Sequence, residues 1–183
     1  MSRPLKAGPR PRRTLLVRAK PGSRTEALVI LNGRVERAAI GRSGIGATKR
    51  EGDGATPLAA MRLLCGYYRG DRTPRPQTAL PMRPIRAGML WCDAPRHGAY
   101  NRPVTAPFAP SHERLMRDDA LYDICLVMDW NITSRKRDGG SAIFFHIARD
   151  GYRPTEGCIA VSLPAMKRLI RAMARGTLVR VTR

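Results

Sequence analysis

The sequence has no closely spaced cysteine pair and no long apolar run. Its four cysteines lie far apart, at Cys65, Cys92, Cys125 and Cys158. Since the CxxC pairs of a structural zinc site are absent, we expect neither a metal nor a cofactor, and one reactive thiol beside three buried ones. No run of about eighteen apolar residues occurs, so no transmembrane helix is expected. The basic N-terminus is not followed by an apolar segment with a cleavage site, so we expect no recognisable export signal.

Aromatic and acidic residues are also scarce. Phe, Trp and Tyr make up 5% of the chain, and 14 Asp and Glu face 34 Lys and Arg, which leaves a net charge of +20 at pH 7. No basic run is interleaved with aromatic side chains on which bases could stack, so a single-strand nucleic-acid binder is not favoured. The charge indicates association with a polyanion, either nucleic acid, an anionic lipid surface or an acidic wall polymer.

The apolar pattern is typical of one mainly β domain. With 183 residues, 43% of them hydrophobic, the chain is large enough for one globular core. We expect a flexible basic arm over residues 1–13 and a single domain over residues 14–183. Alternating segments and an Asn–Gly hairpin turn predict a β-meander at the start of this domain, with strands over residues 14–20, 26–31 and 34–40.

The middle of the chain is predicted to hold two more strands and a long insertion. Residues 58–68 are interpreted as extended, and the apolar run at 122–130 as a buried strand. Between them, residues 71–110 are rich in Pro and Arg without periodicity, as expected of loops that wall or cover a cleft. Ser111 is expected to cap one helical turn.

The C-terminal segment is predicted to form a helix and a last strand. Ser162 can begin the helix and Gly176 can end it, so the helix is expected over residues 163–175. Its apolar residues share one stripe, which indicates packing against the sheet. The last strand is expected over residues 177–181.

One stretch before this helix has a coherent chemistry. Two apolar runs, 141–148 and 157–162, flank a loop of turn residues and are predicted to pair as an antiparallel hairpin. In that hairpin the His146 imidazole lies beside the Cys158 thiol, and a thiol needs such a base to become a nucleophile. Gly157 permits close approach of a substrate, and the amides around it are expected to hold an oxyanion. The alternative interpretation of the same pair is two ordinary core residues.

The motif around this pair resembles the active-site signature of the YkuD-type L,D-transpeptidases. In that family a His precedes a Ser/Thr-x-Gly-Cys turn, which here corresponds to His146 and the Thr-Glu-Gly-Cys of residues 155–158. Glu156 stands where the commoner Ser-His-Gly-Cys branches have a second His, and Ala160 stands where they have Arg or Asn. These departures indicate a divergent branch of the family.

The resemblance implies both a fold and an activity. The fold is a YkuD-like β-sandwich or barrel with a long loop insertion and a C-terminal helix. The activity is that of a peptidoglycan L,D-transpeptidase, in which a Cys158 thioester passes an acyl group from one stem peptide to the amine of another. His146 would assist thiolate formation and proton transfer, and Thr155 would orient the turn or the imidazole.

The resemblance also implies the partners and leaves the exact bond open. The product is a cross-link between two diaminopimelates or between L-Ala and diaminopimelate. The expected partners are peptidoglycan stem peptides and an anionic wall or membrane surface, with no specific nucleic acid, for a monomer in the periplasm. An L,D-carboxypeptidase or another thiol hydrolase on wall peptides remains an alternative, as does a basic nucleic-acid-binding protein without catalysis.

Several side chains of the loops are candidates for contact with the substrate. Arginines on the loop over the site suit a substrate carboxylate, which they can bind through paired hydrogen bonds. Ordinary packing or solvation is the alternative for each candidate. The predicted substrate-binding residues are His112, Trp91, Tyr152, Arg153, Arg149 and Glu156, and Asp93, Tyr100 and Asn101 are further candidates for the cleft wall.

Overall fold

The computed structural model describes residues 14–183, and the basic arm predicted at residues 1–13 lies outside the described residues. Residues 14–183 form fourteen strands, one α-helix and two short 3₁₀ helices. The predicted mainly β class is confirmed. In chain order the strands are β1 (Thr14–Ala19), β2 (Glu26–Leu31), β3 (Arg34–Ala39), β4 (Ile45–Gly46), β5 (Thr56–Pro57), β6 (Ala60–Tyr68), β7 (Met82–Pro84), β8 (Met89–Cys92), β9 (Arg102–Thr105), β10 (His112–Arg114), β11 (Ile124–Met128), β12 (Phe144–Ile147), β13 (Ile159–Val161) and β14 (Leu178–Thr182).

Eight of these strands close into a barrel. Neighbouring strands are hydrogen-bonded in the order β11-β12-β13-β3-β2-β1-β14-β6, and β6 pairs back to β11. The C-terminal part of β6 also pairs in parallel with β7, beyond the segment that pairs with β14. Closure satisfies the backbone hydrogen bonds along the strand edges within the sheet itself.

The predicted N-terminal meander is confirmed. β1, β2 and β3 pair as consecutive antiparallel strands, and β1 also pairs in parallel with β14. The turn between β2 and β3 has positive φ at both central residues, 52° at Asn32 and 76° at Gly33. This conformation matches the right-handed twist of the two strands, which explains why Asn–Gly is so strong a hairpin signal.

The two strands next to the predicted catalytic residues are parallel, so the predicted antiparallel hairpin is wrong. β12 pairs with β13 with His146 opposite Ala160, and the other edge of β13 pairs with β3. A parallel pair needs a crossover connection of about a dozen residues. The stretch from 148 to 158 supplies it, through a 3₁₀ helix at Asp150–Tyr152. A loop of this length permits either a parallel or an antiparallel pair. The pairing of β13 with β3, which lies far earlier in the chain, selects the parallel one.

Alternation along the strands divides the core in two. The interior of the barrel contains one face of β11, β12 and β13, represented by Leu126, Phe145 and Ile159. The opposite face contributes Phe144 and Cys158 to a second cluster, which lies between the barrel wall and the insertion. The candidate thiol is therefore on the outer side of the barrel wall, beneath the insertion.

The long insertion contains more regular structure than its sequence predicts. β8 pairs with β9 and with β10 to form a three-stranded antiparallel sheet. His112 and Glu113 are part of β10, so the helical turn predicted after Ser111 is wrong. Isolated helical turns are unfavourable because nucleation costs more than one hydrogen bond returns, whereas a strand here gains the ladder to β8.

The C-terminal helix is confirmed in position but is shorter than predicted. α1 spans Leu163–Ile170, and the Ser162 hydroxyl accepts a hydrogen bond from the Ala165 amide at 3.3 Å. After Ile170 the chain continues in turns, and the Gly176 amide donates to the carbonyl oxygen of Leu63 on β6. The helix therefore ends early because the chain has to turn back towards β6 before it begins β14. No helix within residues 14–183 is both long enough and apolar enough to cross a bilayer.

Gly66 provides a test of barrel closure, because it lies where β6, β7 and β11 meet. A Cβ at this position would lie 2.5 Å from the Met82 sulfur and 2.7 Å from Leu126 Cδ2. We expect Gly66→Ala to lower the free energy of unfolding by about 1–3 kcal/mol through overpacking. Gly98→Ala is the matched control, since Gly98 has open space around its Cα. Equal stability of the two variants in denaturant titration would contradict the close packing at this junction.

Candidate active site

Cys158 lies just before β13, at the inner end of a cleft of about 770 Å³. Its side chain is largely buried, with 9% of the residue exposed. The thiol donates a hydrogen bond to the Ala142 carbonyl oxygen at 3.2 Å, and the sulfur accepts one from the Phe144 amide at 3.4 Å. Ala142 has a left-handed φ of 51° and precedes β12, so the strand begins later than the predicted run of 141–148. The backbone around Ala142 and Phe144 therefore fixes the position of the sulfur.

His146 lies on β12 and lines the same cleft. Its Nδ1 lies 2.8 Å from the Ile147 carbonyl oxygen, which can only accept a hydrogen bond. Nδ1 must therefore carry the proton in the neutral ring, and Nε2 is left with its lone pair. The Tyr122 ring packs edge-on against the imidazole, with 5.4 Å between ring centroids. His146 is thus held in the tautomer that a general base requires.

The thiol and the imidazole are both neutral at rest. Burial raises the pKa of the Cys158 thiol to about 12, and the negative charge of Glu113 adds to this shift. Burial also lowers the pKa of His146 to about 4, against the opposing effect of its hydrogen bond to Ile147. Within the described residues, no hydrogen bond joins the thiol to the imidazole. The arrangement favours proton transfer during attack over a preformed ion pair.

Thr155 and Gly157 shape the turn that leads into Cys158. The Thr155 hydroxyl donates to the Cys158 carbonyl oxygen at 2.7 Å and accepts from the Gly157 amide at 3.2 Å. Gly157 has φ of 129°, and a Cβ there would lie 2.7 Å from the Ala55 carbonyl oxygen. Thr155 is expected to orient either the turn or the imidazole, and its contacts match the first of these roles. The Gly157 amide is already engaged by this hydroxyl.

The Gly-rich segment before β6 supports the same turn. Thr56 accepts a hydrogen bond from the Gly41 amide at 2.8 Å, and its hydroxyl donates to the Cys158 carbonyl oxygen at 3.4 Å. The Arg42 amide donates to the Thr155 carbonyl oxygen at 2.8 Å. Thr56 therefore packs against the turn that leads into Cys158.

Four of the six predicted substrate-binding residues lie on the cleft wall: His112, Arg149, Arg153 and Glu156. The His112 ring donates from Nδ1 to the Pro110 carbonyl oxygen at 2.7 Å, which leaves Nε2 as an acceptor. Glu156 is at the rim and forms a 2.8 Å ion pair with Arg42. Arg149 and Arg153 make no ion pair with any described residue, so their charges remain available to an anionic group.

The other two candidates do not line the cleft. Trp91 is 3% exposed and packs beneath the site, with its ring 5.1 Å from that of Phe144. Its indole N–H donates to the Asn101 side-chain oxygen at 3.0 Å. Tyr152 turns away and lies against the Arg37 guanidinium, 4.3 Å from the ring centroid. The prediction that both lie on the wall is wrong because strand pairing and a 3₁₀ helix set the directions of these side chains, and no local sequence pattern marks either element.

The structure adds several residues that the sequence did not single out. Tyr122 belongs to a 3₁₀ helix instead of the predicted strand, and its hydroxyl donates to Glu113 at 2.6 Å. Glu113 in turn lies 3.6 Å from Arg117. Glu51 and Ser141 also line the cleft. No local motif in the sequence marks these residues as part of the site.

The fold is a closed β-barrel, and one cleft contains a buried thiol and a neutral imidazole. These features are typical of a cysteine-dependent acyl-transfer protein. The model of the YkuD family, the L,D-transpeptidase catalytic domain, matches residues 14–181. The chain therefore belongs to this family. Searches of the curated proteins and of the solved structures found no match.

The neutral resting pair predicts how Cys158 responds to pH. Because the thiolate fraction rises about tenfold per pH unit below the thiol pKa, alkylation of Cys158 by iodoacetamide should accelerate steadily between about pH 6 and pH 9. Peptide mass spectrometry after short exposures would measure the rate, with a free small thiol in the same tube as the reference. A rate that is flat over this range would indicate a preformed thiolate–imidazolium pair and would contradict the neutral state.

Gly157 provides a test of the turn. We expect Gly157→Ala to lower the free energy of unfolding by more than the roughly 1–3 kcal/mol of backbone strain alone, because the Cβ also meets the Ala55 carbonyl. Gly151→Ala is the matched control, since Gly151 has φ of 72° but no atom within 4 Å of the added Cβ. Equal losses in urea titrations of the two variants would show that contact with Ala55 is unimportant.

Proposed function

We propose that this protein is a peptidoglycan L,D-transpeptidase that cross-links stem peptides through a Cys158 thioester. The observation that carries the proposal is the shared cleft. It contains the Cys158 thiol, which two backbone hydrogen bonds hold in place, and the His146 imidazole. The imidazole donates from Nδ1 to a backbone carbonyl oxygen, so Nε2 keeps its lone pair. Membership of the L,D-transpeptidase family supports the same reaction. The bond formed joins either two diaminopimelates or L-Ala and diaminopimelate.

The first half-reaction forms the thioester. As the Cys158 sulfur attacks the donor carbonyl carbon, the thiol proton passes to His146 Nε2. The tetrahedral intermediate then collapses, the bond to the leaving amine breaks, and His146 returns the proton to that amine. The neutral starting pair suits this concerted transfer, because neither charge has to exist in the buried cleft before the substrate arrives.

The second half-reaction moves the acyl group to the acceptor. The lone pair of the acceptor amine attacks the thioester carbon, His146 takes the amine proton, and the departing Cys158 sulfur recovers it as a thiol. In both steps the backbone of the Gly157–Cys158 turn would receive the oxyanion, with the Thr155 hydroxyl releasing the Gly157 amide. Attack by water in place of the amine would make the protein a carboxypeptidase.

The charges of the cleft suit a stem peptide. Arg149 and Arg153 lie on the loop over the site without an ion pair among the described residues, so they are placed to bind a substrate carboxylate. The net charge of +20 favours association with an anionic wall or membrane surface. A periplasmic monomer acting on peptidoglycan is the setting consistent with these features.

Substitution of the two central residues tests the proposal. We expect Cys158→Ala to abolish cross-linking of tetrapeptide muropeptides, since Cys158 is the only cysteine of residues 14–183 that lines the cleft. We expect His146→Ala to reduce the rate by roughly a hundredfold to ten-thousandfold, the usual contribution of a general base. Mass spectrometry of the muropeptides would detect dimers, and fragmentation would identify the donor residue.

Cys65→Ala is the matched control for this experiment. Cys65 is half-buried on β6 and does not line the cleft, so its loss should leave the product pattern unchanged. Cross-linking that survives both Cys158→Ala and His146→Ala would overturn the assignment. Unchanged muropeptides with the wild-type protein would overturn the proposed reaction itself.

A further inference from the structure

The cleft contains carboxylates without cationic partners. The chain has 34 Lys and Arg for 14 Asp and Glu, and most acidic side chains form ion pairs. Glu51 and Asp93 both line the cleft, yet neither forms an ion pair with any described residue. In so basic a protein, carboxylates that face a cleft without a cation are available to a positively charged ligand.

Two buried polar atoms of residues that line this cleft are also unsatisfied. Asp93 Oδ1 and Ser141 Oγ have no hydrogen-bond partner among the described residues. Ser141 is 7% exposed and lines the cleft. It lies near the Tyr100 hydroxyl, whose proton is committed to Glu51. A buried polar group without a partner destabilises the folded protein, so these atoms are expected to gain partners from a ligand.

Tyr100 and Asn101 bring these groups to one corner. The Tyr100 hydroxyl donates to the Glu51 carboxylate. The Asn101 side-chain oxygen accepts from Trp91 Nε1 at 3.0 Å and from the Ala142 amide at 3.1 Å. Trp91 is two residues before Asp93, and Ala142 follows Ser141. One amide oxygen therefore joins the two segments that carry the unsatisfied atoms.

This corner is next to the thiol. Ala142 donates its amide to Asn101, and its carbonyl oxygen accepts the hydrogen bond of Cys158 at 3.2 Å. The unsatisfied hydroxyl of Ser141 is thus one residue from a direct contact of the nucleophile. An acceptor nitrogen bound here would lie close to the thioester on Cys158.

The chemistry of the corner suits an ammonium group. No three His, Cys, Asp or Glu side chains within residues 14–183 come together closely enough to hold a metal ion. An ammonium has three N–H donors, and Glu51, Asp93 and Ser141 present oxygen acceptors to receive them. Building on the proposed transpeptidase reaction, we propose that Glu51, Asp93 and Ser141 bind the ammonium group of the acyl acceptor, and that one of the two carboxylates takes a proton from it to leave the amine lone pair that attacks the thioester.

The test separates acceptor binding from acylation. Wild type, Asp93→Asn and Ser141→Ala would first be loaded with a tetrapeptide donor, and the thioester would be followed by intact mass. We expect equal acylation in all three proteins. The acceptor concentration needed for half-maximal cross-linking should rise roughly tenfold to a hundredfold in Asp93→Asn, because a charge-assisted hydrogen bond is lost. Ser141→Ala should have a smaller effect in the same direction.

Two controls exclude a general loss of structure. Hydroxylamine is a small and mostly uncharged nucleophile at neutral pH, so its attack on the thioester should be unchanged in every variant. Asp150→Asn removes an exposed carboxylate that makes no ion pair among the described residues and does not line the cleft, and it should leave the acceptor dependence as in wild type. A wild-type acceptor dependence in both Asp93→Asn and Ser141→Ala would overturn the ammonium site and leave the transpeptidase intact.

A binding measurement tests the site without the reaction. In Cys158→Ala protein, chemical-shift titration with pentylamine should show saturable binding, and addition of Asp93→Asn should weaken it by roughly tenfold or more. Pentanol, the uncharged counterpart, should not bind at this corner. If the wild-type protein is not acylated but pentylamine binds saturably, the proposed reaction is refuted and the cation site is supported. If pentylamine and pentanol bind equally well, the cation site is refuted.

Discussion

The chemistry of this protein depends on the burial of one thiol and one imidazole between the barrel wall and the insertion. Burial removes both groups from water, so the charged forms of Cys158 and His146 are disfavoured and the pair rests neutral. The same burial obliges each group to find partners in the backbone, which the Ala142, Phe144 and Ile147 peptide groups supply. Burial therefore determines both the positions of the Cys158 and His146 side chains and their protonation states.

Much of this could be predicted from the sequence, and the remainder depends on contacts between distant segments. Period-two alternation and the Asn32–Gly33 turn are local signals, so the meander was predicted correctly. The choice between parallel and antiparallel pairing for β12 and β13 depends on β3, far earlier in the chain. The direction of Trp91 is set by its pairing with Glu113 across β8 and β10, and no local pattern specifies that register.

The site itself shows the same division. His146 and the Thr-Glu-Gly-Cys motif could be found because their chemistry is concentrated in one short segment. Glu51, Asp93 and Ser141 lie in separate segments, which Tyr100 and Asn101 connect through hydrogen bonds to Glu51, Trp91 and Ala142. A carboxylate in a basic sequence is ordinarily interpreted as an ion-pair partner, so only the structure distinguishes Asp93 from the paired acids such as Glu26 or Asp71.

Acceptor recognition determines what the thioester becomes. Water at high concentration competes with the amine for the same carbon, so a cross-linking enzyme must hold its acceptor beside the thioester often enough to exceed hydrolysis. Arg149 and Arg153 line the cleft and can attract anionic groups, while Glu51, Asp93 and Ser141 accept a cation in the same cleft. Opposite charges within one cleft would orient a zwitterionic peptide with its amine towards Cys158. The balance between transfer and hydrolysis therefore depends on the residues around the thiol as much as on the thiol itself.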